Sequence, residues 1–159
     1  MSTEIAETPL PAVLQQARTE AVTSHLPYAG GVMPQVAWAL FSQGLAQLVD
    51  VRTTEERHFV GHVPATLHVP WATGTALSRN PRFVRELEAK LTPHGGKDAI
   101  VLLLCRSGKR SALAAQAAAK AGFTQVFNVF EGFEGEADAR GQRGHGDGWR
   151  FYGLPWLQD

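Results

Sequence analysis

The run Ala99-Ile100-Val101-Leu102-Leu103-Leu104-Cys105-Arg106-Ser107-Gly108-Lys109-Arg110-Ser111 decides how this chain is read. Its first six residues are uninterrupted apolar and suit a central strand buried on both faces. The next seven form a tight polar loop, and from Ser111 to Ala121 an alanine-rich stretch reads as a helix stopped by Gly122. A strand, a loop and a helix N-terminus in that order surround the side chain at the turn with backbone N–H groups and the positive end of a helix dipole. That side chain is Cys105, the one cysteine in the sequence. Such surroundings favour thiolate over thiol. A cysteine that only fills space belongs inside the apolar run, whereas Cys105 stands one residue past it. No Asp or Glu occurs between Asp98 and Glu131, while Arg106, Lys109, Arg110 and Lys120 all do. An anionic partner is drawn to such a loop.

On either side, short β-like runs alternate with helical ones. Gln47–Val51, Leu67–Val69 and Gln125–Val129 read as strands; Thr54–Phe59 and Pro81–Leu91 read as helices. The expected fold is α/β, a small parallel β-sheet flanked by helices on both faces, with an N-terminal helical extension. Ligands of such sheets bind beyond the carboxyl ends of the strands, which is where the sequence places Cys105. Leu10 to Ser24 carries apolar residues at helical spacing, and Pro34 opens a further helix over Gln35 to Ser42. The spacing therefore divides the chain into an extension, residues 1–30, and a main domain, residues 31–159. Within the latter, residues 135–148 are a glycine-rich exposed loop and residues 149–159 an aromatic tail that packs back.

At 159 residues the chain is long enough for one core and too short for two ordinary domains. Fifteen basic and 15 acidic residues give a formal net charge of zero, which argues against nucleic acid as a partner. No apolar segment approaches bilayer length and the first residues are acidic, so no membrane partner and a cytoplasmic location are expected. A lone cysteine excludes an internal disulfide, so any acceptor of its chemistry comes from outside the chain. The six histidines show no metal-ligand spacing with it, and neither a metal nor another cofactor is expected.

Several motifs in order resemble a known family. Asp50-Val51-Arg52, Glu55-Glu56-Arg57, Gly61-His62-Val63-Pro64, Val69-Pro70, the Cys105 to Ser111 loop, Gly122-Phe123 and Gly132-Phe133 look like those of a single-domain rhodanese, a sulfurtransferase. Gly153-Leu154-Pro155-Trp156 resembles the usual ending of that family. The resemblance implies transfer of sulfane sulfur through a Cys105 persulfide, from an anionic donor such as thiosulfate to cyanide or a thiol, with a protein acceptor also open. It departs at Ala65-Thr66, where the family often has Gly-Ala, and in the long insert before Trp149.

The loop residues suit those steps on their own chemistry. Backbone N–H groups from Arg106 to Ser111 are donors for a sulfur anion. Arg106 or Arg110 suits bidentate contact with oxyanions and Lys109 a point-charge contact. The hydroxyls of Ser107 and Ser111 either add hydrogen bonds or belong to an ordinary turn and cap. Gly108 permits a positive φ. Asp50 and Arg52, at the end of a neighbouring strand, suit an ion pair that shapes the pocket wall, Glu55 or Glu56 caps or pairs at the short helix, and His62 supports structurally. Two other functions compete. A cysteine phosphatase needs Cys-x5-Arg, but the sixth position after Cys105 is Ser111 and Arg110 falls one residue early. A persulfide carrier or partner-binding module with little turnover fits the same residues.

Overall fold

The computed structural model describes residues 9–158. Five parallel strands form the sheet: β1 (Gly30–Val32), β2 (Gln47–Asp50), β3 (Leu67–His68), β6 (Ile100–Leu104) and β7 (Gln125–Val129), in spatial order β1-β7-β6-β2-β3. Among the described residues five α-helices connect and cover them: α1 (Leu10–Thr23), α2 (Pro34–Ser42), α3 (Thr54–Val60), α4 (Phe83–Leu91) and α5 (Lys109–Lys120). The α/β architecture expected from the sequence is therefore the one observed.

Successive residues of a strand face opposite sides of a sheet, and here that alternation divides the core in two. Val49, Val101, Leu103 and Val126 pack with Phe83, Leu87 and Leu91 of α4 and Ala114, Ala115 and Ala118 of α5. Leu48, Leu102, Leu104, Phe127 and Val129 pack on the other side with Leu14 and Ala17 of α1, Ala37 and Leu40 of α2, and Trp149. The apolar run of β6 is continuous because both its faces are covered. Cys105 continues the Val101–Leu103 series and so lies on the α5 side.

Three features differ from the sequence expectation. Gly30-Gly31, at the expected boundary between extension and main domain, forms β1, because pairing with Phe127 to Val129 outweighs the poor strand propensity of glycine. Residues Ala72–Thr73 and Ser78–Arg79 form a two-stranded hairpin, β4 and β5, that carries no clear alternation. Helix α5 begins at Lys109, two residues before the expected Ser111, which puts Lys109 and Arg110 in its first turn.

The segment after β7 returns to the domain. Trp149 is fully buried, donates from Nε1 to the Pro155 carbonyl at 2.8 Å and meets Trp38 edge to face. Leu157 pairs with His62 through two backbone hydrogen bonds of 2.8 Å. No helix among the described residues is long and apolar enough to cross a membrane.

Candidate functional site

Cys105 is the first residue past β6 and is 1% exposed. Its sulfur is nonetheless not enclosed by hydrocarbon alone. The Gly108 N–H donates to Sγ at 3.1 Å and the Ser111 N–H at 3.3 Å, while Ser111 Oγ lies 3.2 Å away. Of the amides from Arg106 to Ser111, those two hydrogen-bond the sulfur, and both belong to the cap and first turn of α5, where the helix dipole is positive. Gly108 caps the helix with φ 97°, a left-handed conformation that turns its N–H inward.

The loop is clamped from behind by the chain that leaves β7. Phe133 N–H donates to the Cys105 carbonyl at 2.8 Å, and the N–H groups of Glu134 and Gly135 donate to the Arg106 carbonyl at 2.9 and 3.2 Å. Asn128, 4% exposed on β7, reaches the loop from the side: its Oδ1 accepts from Ser111 Oγ at 2.5 Å and its Nδ2 donates to the Gly108 carbonyl at 3.1 Å. Sequence reasoning passed over Asn128. An amide in the middle of the buried run Val126-Phe127-Asn128-Val129 is the signal that singles it out, since a buried polar group needs partners.

Beneath the neighbouring strand end, Asp50 and Arg52 are both fully buried and form a hydrogen-bonded ion pair, Nη2 to Oδ2 at 2.8 Å and Nε to Oδ1 at 3.1 Å. Arg57 adds a contact of 2.9 Å to Oδ2. Burial pushes the Asp50 carboxyl up, but Arg52, by charge and hydrogen bonds, and Arg57 outweigh it and hold the group below the usual carboxylate range. Arg52 also donates to the Gly61 carbonyl at 2.7 Å and stacks over Phe133, 4.3 Å from its ring centre. Asp50 pairs in register with Leu104, so this cluster abuts the base of the cysteine loop.

The loop cations separate by role. Arg110 is engaged: its two terminal nitrogens meet the two oxygens of Glu56 at 2.7 Å each. Glu56 also completes a capping box with Thr53 at the start of α3. Burial raises Glu56, and its hydrogen bonds to Arg110 and Thr53, with the charges of Arg110 and Arg52, more than reverse that and leave it below its ordinary value. Those same Glu56 hydrogen bonds, against the effect of burial, hold the Arg110 proton more tightly than usual. Arg106 is exposed and lines, with Thr53, Glu55, Glu56, Thr75 and Arg110, a cleft of about 350 Å³ beside the loop. Lys109 is exposed at the first position of α5, and Ser107 is half-buried in the loop. His62 does not join them; its backbone holds the C-terminal segment at Leu157, and its Nδ1 is buried without a hydrogen-bond partner. Among the described residues no group of His, Cys, Asp and Glu side chains is arranged to hold a metal ion.

Comparison with known proteins gives a consistent picture. The family model described as the rhodanese-like domain matches residues 33–138. An uncharacterised protein of Rickettsia rickettsii is 34% identical over 122 residues, which cover 74% of this chain and 87% of that protein. The chloroplastic thiosulfate sulfurtransferase 16 of Arabidopsis thaliana is 32% identical over 87 residues, 54% of this chain and 68% of that protein. Among solved structures, that of Rv0390 from M. tuberculosis superimposes with a TM-score of 0.70 at 42% identity, covering 83% of this chain and 99% of the other.

Proposed function

Because the chain belongs to the rhodanese-like domain family, a family of sulfur-transfer proteins, we propose that it is a sulfurtransferase working through a persulfide on Cys105, with thiosulfate or a similar anionic sulfane as donor. The observation that carries this reading is the convergence of two backbone donors, the Gly108 N–H and the Ser111 N–H, on one sulfur at 3.1 and 3.3 Å. Fixed donors of this kind stabilise negative charge on sulfur without reorganising during reaction.

In the first half-reaction Cys105 Sγ attacks the outer sulfur of thiosulfate. The S–S bond of the donor breaks, sulfite leaves with the bonding electron pair, and Cys105 keeps the transferred atom as a persulfide. Arg106, exposed at the cleft and free of the carboxylate contact that occupies Arg110, takes the sulfonate. In the second half-reaction a nucleophile such as cyanide attacks the outer sulfur and Cys105 leaves as thiolate. No proton has to be abstracted in either step once the thiol is ionised, and His62, tied to the C-terminal segment, has no part in them.

The cleft favours this chemistry over phosphate ester hydrolysis. A phosphatase loop needs an arginine free to clamp phosphate oxygens, whereas Ser111 occupies the sixth position after Cys105 and Arg110 is held by Glu56. The test is direct: the protein is incubated with thiosulfate, its intact mass is read for one added sulfur, and cyanide is then added and thiocyanate assayed. Both signals are expected from the native chain and neither from Cys105→Ser. Hydrolysis of an aryl phosphate with no sulfur gained would replace this reading, and a stable persulfide that no small acceptor discharges would make the protein a carrier.

A further inference from the structure

Asn128 is an expensive residue to bury. Its neighbours on β7, Val126, Phe127 and Val129, are apolar and fully enclosed, and an amide among them is tolerated only when its groups are paired. All the partners it has found lie at one place. Oδ1 meets Ser111 Oγ at 2.5 Å and Nδ2 meets the Gly108 carbonyl at 3.1 Å. Gly108 and Ser111 are the two residues whose N–H groups donate to the Cys105 sulfur. One side chain therefore grips both.

The Ser111 hydroxyl carries a single hydrogen and sits between two acceptors. Asn128 Oδ1 is at 2.5 Å and the sulfur at 3.2 Å. Because Nδ2 is committed to the Gly108 carbonyl, the amide presents its oxygen to Ser111, and the hydrogen lies along the shorter contact. The hydroxyl then turns a lone pair toward the sulfur and is spent as a donor.

We propose that Asn128, its amide oriented by the bond to the Gly108 carbonyl, is a positioning residue that holds the Ser111 hydroxyl hydrogen away from Cys105 and so limits how strongly the cradle stabilises a sulfur anion. This rests on the reading of Cys105 as the sulfur nucleophile. The charged groups that bear on the sulfur come from several elements: Arg106 in the loop, Lys109 and Arg110 of α5, Glu56 of α3 and Asp50 of β2, both of which act on Arg110. Tyr28 lies in the segment before β1; burial, ahead of the opposing influence of Asn128, holds its proton more tightly than usual. It is present as the neutral phenol and adds no charge.

Two substitutions of Asn128 move the sulfur in opposite directions. Asn128→Leu keeps the volume and removes the acceptor, so the hydroxyl hydrogen turns to Cys105. Asn128→Asp keeps the acceptor, adds negative charge and sets a carboxylate oxygen against the Gly108 carbonyl. The readouts are the ultraviolet thiolate absorbance at neutral pH and the rate of alkylation by iodoacetamide, an uncharged reagent. We expect about a three- to tenfold rise for Asn128→Leu, the worth of one hydrogen bond, and a fall of similar size for Asn128→Asp. In a Ser111→Ala background Asn128→Leu changes neither readout. Thermal melting reports folding, and Asn128→Ala serves in place of Asn128→Leu if the latter does not fold. Both variants shifting the same way, or the effect of Asn128→Leu surviving without Ser111, would overturn the proposal. Thiosulfate loading of the native protein is measured alongside: if it fails while the opposite shifts appear, the sulfurtransferase reading falls and the positioning role stands.

Discussion

At Gly132 the backbone turns with φ 67°, and a Cβ placed there would lie 2.5 Å from the carbonyl carbon and oxygen of Arg106 and 2.6 Å from the Cys105 oxygen. Those atoms are main chain and cannot swing aside. Gly132→Ala is expected to destabilise the fold by about 1–3 kcal/mol or more, from the left-handed conformation together with the contact. It also pushes the clamp at Phe133 off the cysteine loop. Urea unfolding checks the first effect, and the rate of persulfide formation in the fraction that remains folded checks the second. Gly108 makes a useful contrast: its φ is 97°, yet the nearest atom to a built Cβ is at 3.4 Å, so Gly108→Ala strains the turn without a collision. Its cost is expected to be the smaller of the two.

At the scale of elements, α3 and α5 are joined by Glu56 and Arg110, whose side chains are 18% and 16% exposed. Glu56→Gln removes the charge from a half-sheltered, two-point contact and leaves an amide oxygen to complete the capping box, with an expected loss of about 1 kcal/mol. It also frees Arg110 beside the cleft, so KM for thiosulfate is expected to fall while kcat changes less; steady-state kinetics on the folded variant decides this. The strands and helices that make up these elements are largely legible in the sequence, because Ile100 to Leu104, the alanine run of α5 and Gln125 to Val129 carry their patterns locally. Their meetings are not. Glu56 and Arg110 are 54 positions apart, and Ser111 and Asn128 are 17 apart; only parallel pairing of β2, β6 and β7 brings them to one edge. β1 escapes sequence reading for the same reason, since its three residues become a strand only against β7. Cys105 stands out in the sequence because a strand end and a helix start are both local signals, whereas the commitment of Arg110 to Glu56 needs the fold.

For the whole molecule, acid acts on three groups in one direction. Asp50 and Glu56 lie below their ordinary values of 3.8 and 4.5, and His68 lies below 6.5. Burial is the leading cause at His68 and outweighs the hydrogen bond between Nε2 and the Arg52 carbonyl at 2.7 Å, which favours the protonated ring. In each case the unfolded chain binds the proton more readily than the native one. The stability these groups contribute is present above their unfolded values and is lost as pH falls through the lower folded ones. The urea midpoint is therefore expected to decline first below about pH 6.5, through His68, and again below about pH 4.5, through Glu56 and Asp50. His68→Gln should flatten the first decline and leave the second; equal declines in both proteins would show that another group is responsible.

The alanines on the inner side of α5 act as a gauge. Ala114, Ala115 and Ala118 let the helix settle close upon β6 and β7, and the height at which it settles is also the height at which its first turn meets the sulfur. A methylene added at Ala118, seven residues and about 10 Å along the axis from Ser111, lifts the far end of a rigid lever whose near end holds the Cys105 sulfur. If Cys105 carries the proposed transfer, its rate is expected to respond to substitutions at the back of this helix that never touch the loop.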